Sequence, residues 1–255
     1  MKNNFGASSP FRSSCLPERS ARGAKTKDEE RVSAQHDTFS LFQNFPDLHF
    51  GLFGKNENFS SDLQCAEDLG FETIAKLDQV HGNQIHIIRK SNSGILKGDG
   101  LMTDVPGLAL SIRFADCQAF AITAPKKNVI GVVHAGWRGM AAQVITTFYK
   151  KLKEEFAIQP QETFVFAGPS ICFQCSEFWN PTHELPEHMH EFIEGRYVDL
   201  QKSADAELNA LGVPSNQQER HPACTKCSKE FWSYRGGDRN ERNYLVVGLL
   251  PPMSS

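Results

Sequence analysis

A branched apolar run that ends in a histidine, a tryptophan and an arginine constrains this chain more than any other stretch. Residues 129–139 read VIGVVHAGWRG, so a strand-forming segment ends in small residues that let the backbone approach whatever lies beyond it. The next segment, residues 140–155, repeats apolar side chains at helical spacing: Ala142, Ile145, Phe148, Tyr149 and Leu152. The sequence therefore predicts a strand and an amphipathic helix joined at His134 and Arg138, which is a common way to build a ligand site.

The composition is that of an ordinary globular protein and excludes several classes of function. The net charge is −3, so the chain has no basic field of the kind that attracts nucleic acid. No apolar run approaches the roughly 20 residues that span a bilayer, and the N-terminus lacks the apolar segment of a secretory signal. Seven cysteines, an odd number, favour reduced thiols over a disulfide framework. We therefore expect a cytoplasmic protein without nucleic-acid or membrane partners, and the sequence leaves its oligomeric state open.

Two regions are expected along the chain. Residues 1–38 are rich in Ser, Lys, Arg and Glu and lack apolar periodicity, which predicts a disordered extension. Residues 39–250 alternate short apolar runs with helical stretches, which predicts one α/β domain. Strands are predicted in ILKGDGLMTD, ALSIRF, AFAITA, NVIGVV, TFVFAG and NYLVVGLL, and helices at 60–70 and 200–211. The proline-containing segment 180–190 is expected to be a loop.

Three stretches each offer one strong metal ligand or nucleophile: DQVHGNQIH with His81, FADCQAF with Cys117, and VVHAGWRG with His134. A single histidine beside an apolar run is more often a hydrogen-bonded core residue, so none of these stretches decides the matter alone. Two imidazoles and a thiolate could hold a tetrahedral zinc ion with one open position, the form of a catalytic zinc site. Asp116, beside the cysteine, is a candidate general base or a partner of a metal ligand.

The same strings resemble a known family. KGDGLMTDVPGLALSIRFADC and VIGVVHAGWRG, together with QVHGNQIH, AGPSICFQCSEF and CTKCSKEFWSYRGGDRNER, are similar to laccase-domain proteins. That family was long labelled multicopper polyphenol oxidase and is now regarded as purine nucleoside phosphorylases. The resemblance covers about residues 39–250 and implies an α/β (α+β) fold, a layered α-β-β-α sandwich with mixed sheets in a single domain. It also implies a zinc ion held by His81, Cys117 and His134.

The resemblance further implies phosphorolysis of adenosine, inosine and methylthioadenosine, with adenosine deamination as a companion activity. Zinc deaminases of bases activate water on the metal while an acid shuttles protons, a task for which Asp116 is the nearest candidate. Phosphorolysis needs cations to align phosphate, and the candidates are Arg138, Arg235 and Arg242. The chain departs from the family in GLFGKNENFSS, where Lys55 falls near an arginine position and the paired glycines are missing. Lysine cannot grip phosphate bidentately, so efficient phosphorolysis is less firmly expected than metal binding.

A copper-dependent polyphenol oxidase is one alternative. Two histidines, a cysteine and a methionine such as Met102 or Met140 could compose an electron-transfer copper site. A laccase also needs a trinuclear cluster built from paired histidines. The chain contains one His-x-His sequence, His188 and His190, and it falls in the proline-containing segment.

Two further alternatives are a hydrolase and a module without catalysis. Cys117 as nucleophile, with His134 as base and Asp116 as its orienting partner, would resemble a Cys-His hydrolase. A zinc-bound thiolate would be a poor nucleophile, so measuring the metal content of the protein separates the hydrolase hypothesis from the zinc-enzyme hypothesis. A zinc-stabilised interaction module, in which the metal has no open position, is the non-enzymatic reading.

Two CxxC pairs offer a separate metal site. Cys172-Phe-Gln-Cys175 and Cys224-Thr-Lys-Cys227 are typical of a closed four-thiolate zinc site. The resembled family often has cysteine at two of these positions, 175 and 224, without using it as a ligand. That observation favours the interpretation that the two CxxC spacings are coincidental. A metal-to-protein ratio of two would overturn this interpretation.

Overall fold

The structure, a computed structural model, describes residues 40–57, 59, 61–90 and 94–251, and the predicted extension 1–38 lies outside them. Fourteen strands occur in these described ranges: β1 (Leu48–Phe53), β2 (Thr73–Ala75), β3 (Leu77–Asp78), β4 (Ile85–Ile87), β5 (Leu96–Lys97), β6 (Gly100–Thr103), β7 (Leu108–Phe114), β8 (Gln118–Ala124), β9 (Val129–Ala135), β10 (Phe164–Ala167), β11 (Ile193–Glu194), β12 (Tyr197–Val198), β13 (Gln218–Arg220) and β14 (Asn243–Leu249). The α-helices are α1 (Asp62–Asp68), α2 (Trp137–Ala141), α3 (Val144–Phe156), α4 (Pro181–Glu184) and α5 (Leu200–Leu211). All six strand-forming runs predicted from the sequence contain strands.

Two mixed sheets form the centre of the domain. The smaller sheet has the strand order β1-β14-β7-β2, and the larger has the order β13-β10-β8-β9-β6-β4. Antiparallel pairs predominate, whereas β2–β7, β4–β6 and β10–β13 are parallel. Two short ribbons, β3–β5 and β11–β12, lie outside these sheets.

The alternation of side chains along β8 and β9 produces two cores on opposite faces of the larger sheet. Ala121 and Val132 face the smaller sheet, where they join a cluster with residues of β7 and β14. Phe120 and Val133 face the other way and join a cluster with α3 and α5, in which Phe148 is fully buried. A third cluster packs α1 on the outer face of the smaller sheet. The layers therefore run helix, sheet, sheet, helix, and the predicted α-β-β-α sandwich with mixed sheets in a single domain is confirmed.

The amphipathic helix predicted over 140–155 is confirmed from Val144 to Phe156, but its start is wrong, because the chain forms two helices, α2 and α3. Gln143 takes a left-handed conformation with φ 54° between them. This break turns the chain so that Val144, Ile145 and Phe148 face the larger sheet, whereas Ala142, an expected core residue, is exposed. The freed carbonyl of Ala142 accepts a hydrogen bond from the side-chain amide of Asn83 at 2.8 Å.

The segment 180–190, expected to be a loop, is instead locally helical. It contains α4 and the start of a 3-10 helix at Glu187–Phe192. The two prolines do not interrupt these turns, because Pro181 occupies the first turn of α4 and Pro186 immediately precedes the 3-10 helix, positions that proline tolerates. The other predicted helices are confirmed as α1 and α5. Across the described ranges, the helices are too short or too polar to cross a membrane.

Candidate metal centre and cavity

The three sequence-predicted ligands lie together at one edge of the larger sheet. The ligand atoms of His81, Cys117 and His134 are all within 4.8 Å of one another. The two imidazole rings are 4.8 Å apart between centroids, with their planes at 82°. Tetrahedral bonds of about 2.0 Å to nitrogen and 2.3 Å to sulfur separate ligand atoms by roughly 3.3 to 3.5 Å, so small side-chain adjustments suffice to bind zinc.

A buried carboxylate, that of Asp99, orders two of the three ligands. The Nδ1 atom of His134 lies 2.8 Å from Oδ1 of Asp99, so an Nδ1–H donor leaves Nε2 for a metal ion. The same carboxylate accepts hydrogen bonds from the backbone N–H groups of His81, at 2.9 Å, and Gly82, at 2.6 Å. Asp99 is fully buried. Sequence reasoning missed it, although the GDG string in which it lies was read as part of a strand.

The backbone around the ligands is held in uncommon conformations. His81 has φ 60°, and Asp116, directly before Cys117, has φ 83°, both in the region that favours glycine. The hydrogen bonds to Asp99 hold His81 in its conformation, and the tight turn at Asp116 places the Cys117 thiol beside it. Gly136 leaves space for the ligands, because a Cβ atom there would lie 2.9 Å from the Cys117 Sγ and 3.0 Å from the His81 Cδ2.

The electrostatics of the site favour a thiolate on Cys117. Burial by itself would raise the pKa of this thiol, but the charge and hydrogen bond of His134, together with His81, lower the pKa to about 6. Burial would lower the pKa of His134, but the Cys117 thiolate and Asp99 raise it to about 9. Cys117 is therefore poised as the anionic ligand that a metal ion requires.

The ligands open into a cavity of about 680 Å³, a size that suits a small-molecule ligand. Its wall contains apolar, aromatic, acidic and cationic groups. They include Asp78, Gln79, Asp116, Trp137, Ile171, Ser176, Phe178, Leu200, Tyr234, Asn240 and the four arginines Arg113, Arg138, Arg235 and Arg242.

The four arginines differ in how many of their side-chain donors already bond to the protein. Arg113 donates to the carbonyl of Leu77, Arg235 to the carbonyls of Cys175 and Glu177, and Arg242 to those of Arg239 and Glu241. The exposed Arg138 instead stacks its guanidinium over the ring of Trp137, 4.2 Å from the centroid, and its side chain donates no hydrogen bond to the described chain. Arg138 therefore has the largest donor capacity for an anion in the cavity. Arg113 was not among the sequence candidates, although its strand runs directly into ADC.

Lys55 is not among the residues that line the cavity. Its ammonium group lies 2.9 Å from the carboxylate of Asp238 and 4.7 Å from the ring centroid of Trp232. The geometry therefore gives no support to the expected role of Lys55 as a phosphate contact.

Asp116 lines the cavity and also anchors the segment that leads to Arg235. Its Oδ1 accepts hydrogen bonds from the hydroxyls of Thr225 and Ser233, both at 2.7 Å. Its Oδ2 accepts one from the backbone N–H of Arg235, also at 2.7 Å. Asp116 thus links the turn that carries Cys117 to the opposite wall of the cavity. Its position next to Cys117 in the sequence does not reveal this role.

Ser176 is a polar group of the wall that sequence reasoning missed. The residue is 1% exposed, and its hydroxyl has no hydrogen-bond partner in the described chain. A buried hydroxyl without a partner costs free energy unless a ligand or water completes it. Its position on the cavity wall indicates a contact for a polar ligand, and its sequence context, between Cys175 and Glu177, carries no signal for that role.

A layered mixed-sheet domain with a His-Cys-His set in the wall of a cavity defines a class of protein with a candidate metal site. The sequence assigns the chain within that class, because residues 56–249 match a family model described as multi-copper polyphenol oxidoreductase laccase. The chain therefore belongs to this family.

Relatives in this family carry a different name. The chain is 30% identical over 216 residues to a protein named purine nucleoside phosphorylase YlmD from Geobacillus stearothermophilus, covering 75% of this chain and 79% of that one. It is 31% identical over 197 residues to a purine nucleoside phosphorylase of Deinococcus radiodurans, covering 73% and 75%. The crystal structure of the Geobacillus YlmD superimposes with a TM-score of 0.70 at 27% identity, covering 81% of this chain and 93% of that one. These names indicate a family of the purine nucleoside phosphorylase type.

Proposed function

We propose that the protein is a zinc-dependent purine nucleoside phosphorylase that acts on adenosine, inosine and methylthioadenosine and also deaminates adenosine. The observation that carries the proposal is a His-Cys-His ligand set opening into a cavity that four arginines line. The names of the relatives support the reaction class. Deamination is supported by the donor set, since zinc held by histidine and cysteine is also the metal centre of base deaminases.

Zinc is the ion that the donor set fits best. His81, Cys117 and His134 would hold it and leave a fourth tetrahedral position open. When bound, zinc supplies Lewis-acid chemistry at that position. A copper oxidase is disfavoured, because in the described residues the only other group of three or more potential ligands consists of four cysteines, not of the histidines that a trinuclear centre needs.

Phosphorolysis joins a phosphate oxygen to C1′ of the ribose while the bond from C1′ to the purine nitrogen breaks. The purine leaves with the bonding electrons and takes up a proton. Arg138 would bind and orient phosphate, because its guanidinium is open to the cavity, and Arg235 and Arg242 would contribute their remaining donors. Bringing phosphate and nucleoside together in this way removes much of the entropic barrier.

Asp116 would move the proton in either reaction. Its Oδ2 accepts a single hydrogen bond in the described chain, whereas Oδ1 accepts two, so Oδ2 keeps a lone pair for a substrate proton. The Ser176 hydroxyl would complete its hydrogen bonding with a polar group of the nucleoside. Trp137 packs edge-on against Phe178 at 5.8 Å and would shape the apolar side of the pocket.

The test is to incubate the zinc-loaded protein with adenosine, inosine or methylthioadenosine, with and without phosphate, and to resolve the products. Adenine or hypoxanthine that forms only with phosphate is expected from phosphorolysis, and inosine that forms from adenosine without phosphate is expected from deamination. No product from any of these nucleosides would refute the proposal and favour a non-catalytic zinc-binding module.

Variants separate the metal site from the phosphate site. Cys117→Ala and His134→Ala are expected to lose the zinc ion of this site and the turnover. Cys65→Ala, which removes a buried thiol in the cluster around α1, is the matched control and should keep both. Arg138→Ala is expected to raise the KM for phosphate while leaving the zinc content unchanged. An Arg138→Ala variant with an unaltered KM for phosphate would remove this residue from the proposal.

A Cys-His hydrolase is the second candidate, and one observation favours it. Cys117 lies beside His134, whose Nδ1 contacts Asp99, so nucleophile, base and orienting carboxylate follow one another. The orienting residue would be Asp99, because the Asp116 carboxylate bonds instead to the opposite wall. Metal dependence decides between the two functions: hydrolysis that rises when zinc is removed supports the hydrolase, and nucleoside turnover that requires zinc supports the phosphorylase.

A further inference from the structure

We propose that Cys172, Cys175, Cys224 and Cys227 form a second metal site that binds zinc in a closed tetrahedron of four thiolates. Their sulfur atoms all lie within 4.8 Å of one another, and the sulfurs of Cys175 and Cys227 are 3.5 Å apart. Four thiolates around zinc at about 2.3 Å are separated by roughly 3.8 Å, so the cluster is close to the required size. The sequence favoured a coincidental spacing of the two CxxC pairs, but a coincidence does not explain why the two pairs lie together in the structure.

The sheet topology explains why the two pairs meet. β10 and β13 are parallel neighbours, with Val165 opposite Gln218 and Ala167 opposite Arg220, so both strands end at the same edge of the larger sheet. The pairing continues past the strands through a parallel bridge between Ser170 and Cys224. Each CxxC pair follows directly, one after each strand, and the fold thus delivers four thiols to one point.

The local hydrogen bonds fit thiolate ligands. The backbone N–H of Cys172 donates to the sulfur of Cys224 at 3.3 Å, a bond that stabilises negative charge on that sulfur. Cys224 is buried and Cys227 is exposed, so the cluster lies at the surface, where an ion can enter.

This second site would join one segment of the cavity wall to a segment that supports the wall from behind through Asp116. The first pair is followed by Ser176 and Phe178, and the second pair encloses Thr225, whose hydroxyl donates to Asp116. Arg235 contacts both Asp116, through its backbone N–H, and the carbonyl of Cys175, through its side chain. With all four positions filled by protein, the metal has a structural role, and it would fix the wall that faces the first metal centre.

The experiment measures zinc per chain by elemental analysis and native mass spectrometry on the full protein, purified under reducing conditions. Two zinc ions per wild-type chain are expected. Cys175→Ser and Cys227→Ser should each retain one, whereas the control Cys65→Ala should retain two. Cys117→Ala should also retain one, and its cobalt-substituted form should show the intense thiolate-to-cobalt absorption of a four-thiolate tetrahedron.

The wild-type measurement keeps the proposal falsifiable even where a variant does not fold. A wild-type chain whose only zinc ion is lost in Cys117→Ala would overturn it, as would an intact mass that shows a disulfide in place of the second ion. A visible iron–thiolate absorption would overturn zinc as the ion. This test is independent of nucleoside turnover. An inactive protein with two zinc ions would refute only the proposed function. An active protein with a single zinc ion would refute only the four-cysteine site.

Discussion

Replacing Asp99 by asparagine tests whether one buried carboxylate orders the metal centre. The wild-type carboxylate accepts from three donors: the His134 ring, the His81 N–H and the Gly82 N–H. An asparagine keeps the shape but turns one acceptor oxygen into an NH₂ group, which must then face an N–H donor. Losing such a partner of a metal ligand typically weakens metal binding by about 10- to 100-fold, or roughly 1.4 to 2.7 kcal/mol. A buried donor left without an acceptor costs about 1 to 3 kcal/mol of folding free energy as well.

The assay for Asp99→Asn is competition for zinc with a chromophoric chelator, following the ion that Cys117→Ala loses, together with denaturant unfolding of the metal-free chain. Asp104→Asn is the matched control, because it removes the same charge from a carboxylate that is paired with Arg89 at the surface, 2.8 Å away. The control should keep wild-type affinity and nearly wild-type stability. Equal zinc affinity for Asp99→Asn and Asp104→Asn would refute the claim that Asp99 orients His134 and His81.

Three further predictions follow from the packing and charge of the site. Gly136→Ala should fold, as judged by circular dichroism, but bind less zinc at the first site, because its Cβ would crowd the Cys117 sulfur at 2.9 Å. Phe148→Ala should lower the free energy of unfolding by about 3 to 5 kcal/mol in denaturant titrations, since this fully buried ring fills the core between α3 and β9. In metal-free protein, alkylation of Cys117 should be half-maximal at about pH 6, and His134→Ala should move that midpoint to higher pH. An unchanged alkylation midpoint in the His134 variant would contradict this pairing.

Local patterns predicted much of the fold because the features they encode are local. The strand-forming runs AFAITA and NVIGVV predicted β8 and β9. The three stretches QVHG, ADC and HAGWRG supplied the His81, Cys117 and His134 side chains that meet in the candidate metal site. The helix break at Gln143 escaped prediction, since nothing in the local spacing shows that Val144 and Phe148 must turn toward β9.

The partners of the site were harder to predict because they come from distant parts of the chain. Asp99 meets His134 across 35 positions, and Thr225 meets Asp116 across 109. A match in sequence position can also mislead. Lys55 falls near an arginine position of the resembled family, but its side chain pairs with Asp238 and does not line the cavity. The meeting of the two CxxC pairs depends on the parallel pairing of β10 and β13, which no spacing encodes.

The hydrogen bond from Asn83 to the carbonyl of Ala142 gives the three metal ligands unequal mechanical support. His134 lies within a central strand, and Cys117 lies in the tight turn between β7 of the smaller sheet and β8 of the larger sheet. His81 lies in a loop that depends on Asp99 and on this single link to the interrupted helix. Without the Asn83 link, Asp99 alone would hold the His81 loop, whereas the strands would still position the other two residues. In the proposed zinc enzyme, exchange of the ion would therefore depend on the helix break as well as on the coordinating atoms.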